Sequence, residues 1–187
     1  MQNLYTRTIT GVIFVALIIG SLILHQLAFV IVIYVLMLIG LLEFFRLANN
    51  NEVYPSRVAG LVVGSITYII PALAALGIIS PKNIAVLPLL IFVFFITELF
   101  RSRPNSLQNI AFSVLSVGYI SIPLSMLIFL TSSMVIKDQP HWHIAFSFFI
   151  ISWGHDTFAY LTGMLIGKHK LLLSGILLSR LNPKPTM

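Results

Sequence analysis

Six long apolar runs, separated by short polar breaks, leave this chain little choice of fold. They fall at roughly 8–24, 27–45, 58–79, 84–100, 108–131 and 144–166, and each is close to the ~20 residues that an α-helix needs to cross a bilayer core. The apolar residues run on without alternating sides, so the spacing predicts helices rather than barrel strands. "ANNNEVYPSR", "SPKN", "RSRPNS" and "KDQPHWH" supply the Asn, Pro and Ser that turns favour, and His25 and Gln26 mark a tight turn between the first two runs. The first run is too long for a signal peptide and lacks a small-x-small cleavage site. Only 9% of the residues are charged, against about 25% in a soluble domain. The expected fold is all-α: a polytopic membrane bundle of about six helices in a lipid bilayer.

The formal charge of +6 does not indicate nucleic acid. That reading needs a solvated basic face on a soluble fold, whereas these Lys and Arg residues are spread thinly between apolar runs. Their distribution instead sets an orientation. With the N-terminus in the cytoplasm, Arg7, Arg46, Arg57, Arg101, Arg103, Lys168, Lys170, Arg180 and Lys184 lie inside and only Lys82 and Lys137 outside. Nine against two obeys the positive-inside rule, so both termini are expected to be cytoplasmic. The chain has no cysteine, which excludes disulfides, thiolate metal sites and Cys nucleophiles.

A short pattern occurs twice. "LLEFFRL" (Glu43, Arg46) and "ITELFRS" (Glu98, Arg101) each close a run on the predicted inner side. Glu and Arg three apart share a helix face and can pair. The pattern is read either as an ion pair at the membrane interface or as a contact to lipid phosphate.

The last run carries the most chemistry. Asp156 is the one acidic residue well inside a predicted span, where an ionised carboxylate should face protein, water or metal. Ala159 or Tyr160, Gly163 and Gly167 share its stripe. Gly163-Met-Leu-Ile-Gly167 is a G-x-x-x-G of the kind that lets helices approach closely, so an internal cavity is expected beside Asp156. Lys168, His169 and Lys170 follow at the mouth. They suit either a helix C-terminus and the inner membrane surface or the phosphates of a ligand. His141 and His143, flanking Trp142, fit an interfacial aromatic belt better than a metal site. There is no G-x-S-x-G, and "GMLIGKH" is not a Walker A loop.

The string "DTFAYLTGMLIGKHKL", Asp156 to Leu171, resembles the D-[ST]-x-A-Y-x-x-G-x-x-x-G-K-H-K-L segment of the bacterial phosphatidate cytidylyltransferases. The match covers Asp156, Thr157, Ala159, Tyr160, Gly163, Gly167, Lys168, His169, Lys170 and Leu171. The opening "RTITGVIFVAL" and the "LLEFFRL" end of the second run also look like that family's N-terminal half. The resemblance implies an enzyme of phospholipid biosynthesis in the inner membrane, which joins CTP and phosphatidate into CDP-diacylglycerol and pyrophosphate with Mg²⁺. It makes Asp156 and Lys168 catalytic, with Asp156 also toward the metal. It places Thr157, Tyr160, His169 and Lys170 against substrate. A homodimer through small-residue helix faces is the expected assembly.

Beyond Leu171 the family continues with S-P-x-K-T-x-E-G and further spans bearing K-D…H-G-G…D-R-x-D, while this chain reads "LLSGILLSRLNPKPTM". The expected organisation is N-terminal membrane helices over 1–135, the start of a catalytic membrane domain over 136–171, and an atypical, out-of-frame or truncated tail over 172–187. With one buried acid, a two-metal site would be incomplete. Two other readings of the residues stand beside this one: a non-catalytic module packing through its glycine face, and an integral membrane polyprenol or lipid kinase.

Overall fold

The computed structural model describes residues 2–49, 53–101, 103–132 and 142–166, with side chains from residue 9 to residue 164. All regular structure among them is helical, in the order α1 (Gln2–Leu24), α2 (Gln26–Ala48), α3 (Arg57–Ala75), a 3-10 segment (Pro81–Leu90), α4 (Ile91–Leu99), α5 (Ser106–Ser116), a π segment (Val117–Ser121), α6 (Ile122–Phe129) and α7 (Trp142–Ile166). Each of the six expected runs is therefore helical. Four stretches are long and apolar enough to cross a membrane: Gln26–Ala48, Arg57–Ala75, Pro81–Leu99 and Ser106–Phe129, with a shorter apolar stretch at Ile9–Leu24. The chain divides into two units, Met1–Phe146 and Ser147–Met187.

In the first unit α3 is the central element, touching α2, α4, α5, α6 and both short segments. Its inward residues are mostly small: Ala59, Gly60, Val63, Gly64, Thr67, Ala72 and Ala75 are buried. Opposite them, α2 buries Phe29, Ile33, Met37, Leu41 and Phe45, a ridge at every fourth residue of the kind that packs into a neighbouring groove. Large side chains on one helix thus meet small ones on the other. A Cβ on Gly60 would fall inside the Phe45 ring, and one on Gly64 would lie 2.6 Å from Leu41 Cδ1 and 2.8 Å from Ser121 Oγ. Gly60-Leu-Val-Val-Gly64 is therefore a working G-x-x-x-G, although the sequence reading had singled out Gly163 and Gly167 for that role. At Gly163 an added Cβ meets nothing within 4 Å among the described residues, and Gly167 lies outside them.

Helix ends follow local chemistry. His25 caps α2, its Nδ1 accepting from the Leu27 N–H at 3.1 Å, which confirms the expected turn and gives that histidine a structural task. α3 ends where Gly77 takes a φ of 75°, and the Ile78 N–H returns to the Leu73 carbonyl at 3.0 Å. The fourth apolar run breaks in two because Pro81 and Pro88 bracket a 3-10 stretch: Pro88 has no N–H to donate, and its ring crowds the preceding turn. The fifth run widens just ahead of Pro123, where the Ile122 N–H reaches back to the Val117 carbonyl, five residues away. That π widening turns Ser121 toward α2, where its hydroxyl meets Met37 Sδ at 3.2 Å.

Polar residues within the apolar helices are satisfied locally. Ser21, Ser116, Ser125 and Thr131 donate to carbonyls three residues back on their own helices. Among the described residues no buried side-chain nitrogen or oxygen lacks a partner. At the end of the bundle opposite the 49–56 loop, Gln26 donates to the Thr131 carbonyl at 2.8 Å and to its hydroxyl at 3.2 Å, fastening the start of α2 to the end of α6.

Candidate functional site

Two groups of polar side chains carry the chemistry of the described structure, one in each unit. The first surrounds Glu98 on the last turn of α4. Its side chain is only 4% exposed, and a carboxylate at that depth needs partners. Asn109 Nδ2 donates to Glu98 Oε1 at 2.6 Å, and Arg101 Nη1 to Oε2 at 3.1 Å. Arg101 Nη1 also donates to the Tyr54 carbonyl at 2.8 Å. Asn109 is used on both sides: its amide donates to the Pro104 carbonyl at 2.9 Å, and its oxygen accepts from the Tyr54 N–H at 2.6 Å. One turn later, Ser113 donates to the Asn109 carbonyl at 2.8 Å and accepts from the Ser56 N–H at 3.1 Å.

Residues 53–56 are thus pinned to α4 and α5 by side chains that also neutralise a buried acid. The two Glu–Arg echoes prove unequal. Glu98 and Arg101 form a buried pair, while Glu43 and Arg46 are both exposed and make no ion pair with each other. The sequence reading identified Glu98 and Arg101 but missed Tyr54, Asn109 and Ser113. The signal was available in Asn109 and Ser113, polar residues four apart on one face of an apolar run.

The second group lies on α7. His155 Nδ1 and Asp156 Oδ1 are 3.6 Å apart, and both side chains are exposed. Thr157 and Tyr160 are also exposed. Tyr160 sits one turn beyond Asp156, on the same side of the helix, and Thr162 donates to the Phe158 carbonyl at 2.8 Å. Lys168, His169 and Lys170 lie outside the described residues, so the expected cavity mouth is not described. His141 also falls outside, while His143 stacks edge-on against Trp142 with ring centroids 4.1 Å apart. Among the described residues no three His, Asp or Glu side chains converge as a metal site would require.

A family model described as "Cytidylyltransferase family" matches residues 5–175 of the chain. Phosphatidate cytidylyltransferases of Staphylococcus aureus strains COL, MSSA476 and MW2 are each 31% identical to it over 169 residues, covering 88% of this chain and 60% of theirs. The chain therefore spans about three-fifths of the length of these curated relatives. No solved structure matches it. A match that takes in the apolar runs, the Glu98 cluster and Asp156 together places this chain in the cytidylyltransferase family.

Proposed function

We propose that this chain carries the N-terminal helices and the first catalytic residues of a phosphatidate cytidylyltransferase in the cytoplasmic membrane. The observation that carries the reading is the family match through residue 175, which includes the Asp156–Leu171 motif. In the proposed reaction an oxygen of the phosphatidate phosphate forms a bond to the α-phosphorus of CTP. The bond to the β-phosphate oxygen breaks, and pyrophosphate leaves. Two anions must meet, so cationic side chains and a divalent metal are needed near the transferred group.

Mg²⁺ prefers oxygen ligands and is commonly held by one or two carboxylates together with substrate phosphates. Asp156 fits that donor chemistry as one carboxylate. The neighbouring imidazole of His155 does not add an oxygen. When bound, the metal would neutralise the triphosphate; Asp156 is the residue of this chain that would hold it. Lys168 and Lys170 are assigned to phosphate, and Thr157, Tyr160 and His169 to substrate hydrogen bonds. Gly60 and Gly64 are used inside the chain, which leaves the Gly163 side of α7 as the small-residue face for a homodimer.

The test uses a chimera in which residues 1–171 precede the C-terminal part of a Staphylococcus aureus relative, assayed for transfer of labelled CMP from CTP to phosphatidate. Asp156→Asn should lower the rate by about a hundredfold or more, the scale on which losing one charge-stabilising group acts, with membrane insertion unchanged. A chimera that stays active with Asn at 156 removes Asp156 from the mechanism.

A further inference from the structure

The loops of residues 49–56 and 100–105 come together at one end of the helices α2 to α5. Between them lies a cleft of about 280 Å³ lined by Asn49, Tyr54, Ser56, Arg57, Arg101 and Arg103, with Pro55 and Val58 completing the wall. No lining residue is acidic. Arg101 is held in place by Glu98 and the Tyr54 carbonyl, and its charge is offset by that carboxylate. Arg103 stands with its guanidinium carbon 5.6 Å from the centroid of the Tyr54 ring. Arg57 opens α3, with Ser56 as the cap residue making no side-chain cap bond. The first N–H groups of that helix have no carbonyl of their own to meet and carry the positive end of the dipole. Neither Arg57 nor Arg103 forms an ion pair with another described residue.

This is a concave site with two uncompensated guanidinium groups, a third guanidinium fixed in orientation, and a helix N-terminus. Guanidinium forks match the oxygens of phosphate. We propose that the cleft binds a phosphate-bearing anion, independently of whether Asp156 takes part in nucleotidyl transfer. The same helix ends carry exposed Leu47, Val58, Leu99, Phe100 and Leu107, each at least three-quarters exposed. Hydrocarbon would therefore reach close to the cleft, and a phospholipid headgroup is the favoured source of the phosphate. A soluble phosphate monoester would offer the same chemistry.

Native mass spectrometry of the purified full chain in detergent tests the proposal with dioleoyl phosphatidate, dioleoylglycerol and glycerol 3-phosphate as probes. Phosphatidate should bind at least about tenfold more tightly than dioleoylglycerol. The R57A/R103A variant should lose about tenfold in phosphatidate affinity, as expected for charge-assisted hydrogen bonds. R57K/R103K should fall between, since lysine keeps the charge and loses the fork. Competition by glycerol 3-phosphate would identify a soluble phosphate as the ligand, and its failure to compete would identify the lipid headgroup. Equal binding of phosphatidate and dioleoylglycerol by the unaltered chain would overturn the proposal. So would an R57A/R103A variant of unchanged affinity and unchanged melting temperature.

Discussion

Gly60 and Glu98 show how much a single position can decide in a chain built mainly from interchangeable apolar residues. Gly60 is fixed because the Phe45 ring occupies the space a side chain would need. Phe45 is fully buried, so it has little room to retreat. Gly60→Val should lower stability by about 1–3 kcal/mol, the usual range for overpacking, read as a fall in thermal melting temperature in detergent. Phe45→Leu combined with it should restore part of the loss. If the two substitutions simply add, they are not coupled and the contact is not the cause. Glu98 is fixed for a different reason. Glu98→Ala would leave Asn109 and Arg101 each short of an acceptor at the same place. The expected cost is about 2–3 kcal/mol, below that of a fully buried pair because Arg101 remains 29% exposed. Urea melts of the detergent-solubilised protein would measure it.

At the scale of elements, the two irregular segments control which way the following helix faces. The π segment Val117–Ser121 contains one residue more than an α-helical path would need. Deleting Tyr119 should rotate α6 by about 100° relative to α5, the angle per residue in an α-helix. Ser125 and Ile128, both buried, would then turn out of the interior, and melting should fall by several degrees. Tyr119→Ala is the comparison, since that ring is 73% exposed and its loss should change melting little. Equal behaviour of the two variants would mean that the register of α6 is not set by the extra residue. The 3-10 stretch has a simpler origin in Pro81 and Pro88, and both prolines were visible in the sequence. Their effect on the fourth run was not, because proline restricts its neighbours without stating which alternative they adopt.

For the molecule as a whole, the first question is which way the bundle sits in the membrane. Asn105 and Ile78 belong to turns at opposite ends of the helices, and both are exposed. Asn105→Cys should react with an impermeant thiol reagent only after the membrane is opened, and Ile78→Cys from outside in intact cells. The reverse pattern would overturn the orientation drawn from nine basic residues against two. The chain's lack of native cysteine makes each label unambiguous.

How much could be read before the structure depends on whether a property is local. Helix, length and membrane character follow from the cost of placing backbone and charge in hydrocarbon, a cost each segment meets by itself, so all six runs were legible. The Asp156 motif was legible as well, because its residues lie on one stripe of one helix. Which G-x-x-x-G packs, which Glu–Arg pair closes, and that Asn109 joins Glu98 to Tyr54 were decided only by the tertiary structure. Gly60 and Gly163 look alike in sequence, and so do Glu43 and Glu98. They differ because α3 lies against the Phe45 and Leu41 ridge of α2, and because α5 delivers an amide to the end of α4. Close packing and hydrogen bonding need a partner at a few ångströms, and the chain sets that partner by its path through space rather than by the residues on either side.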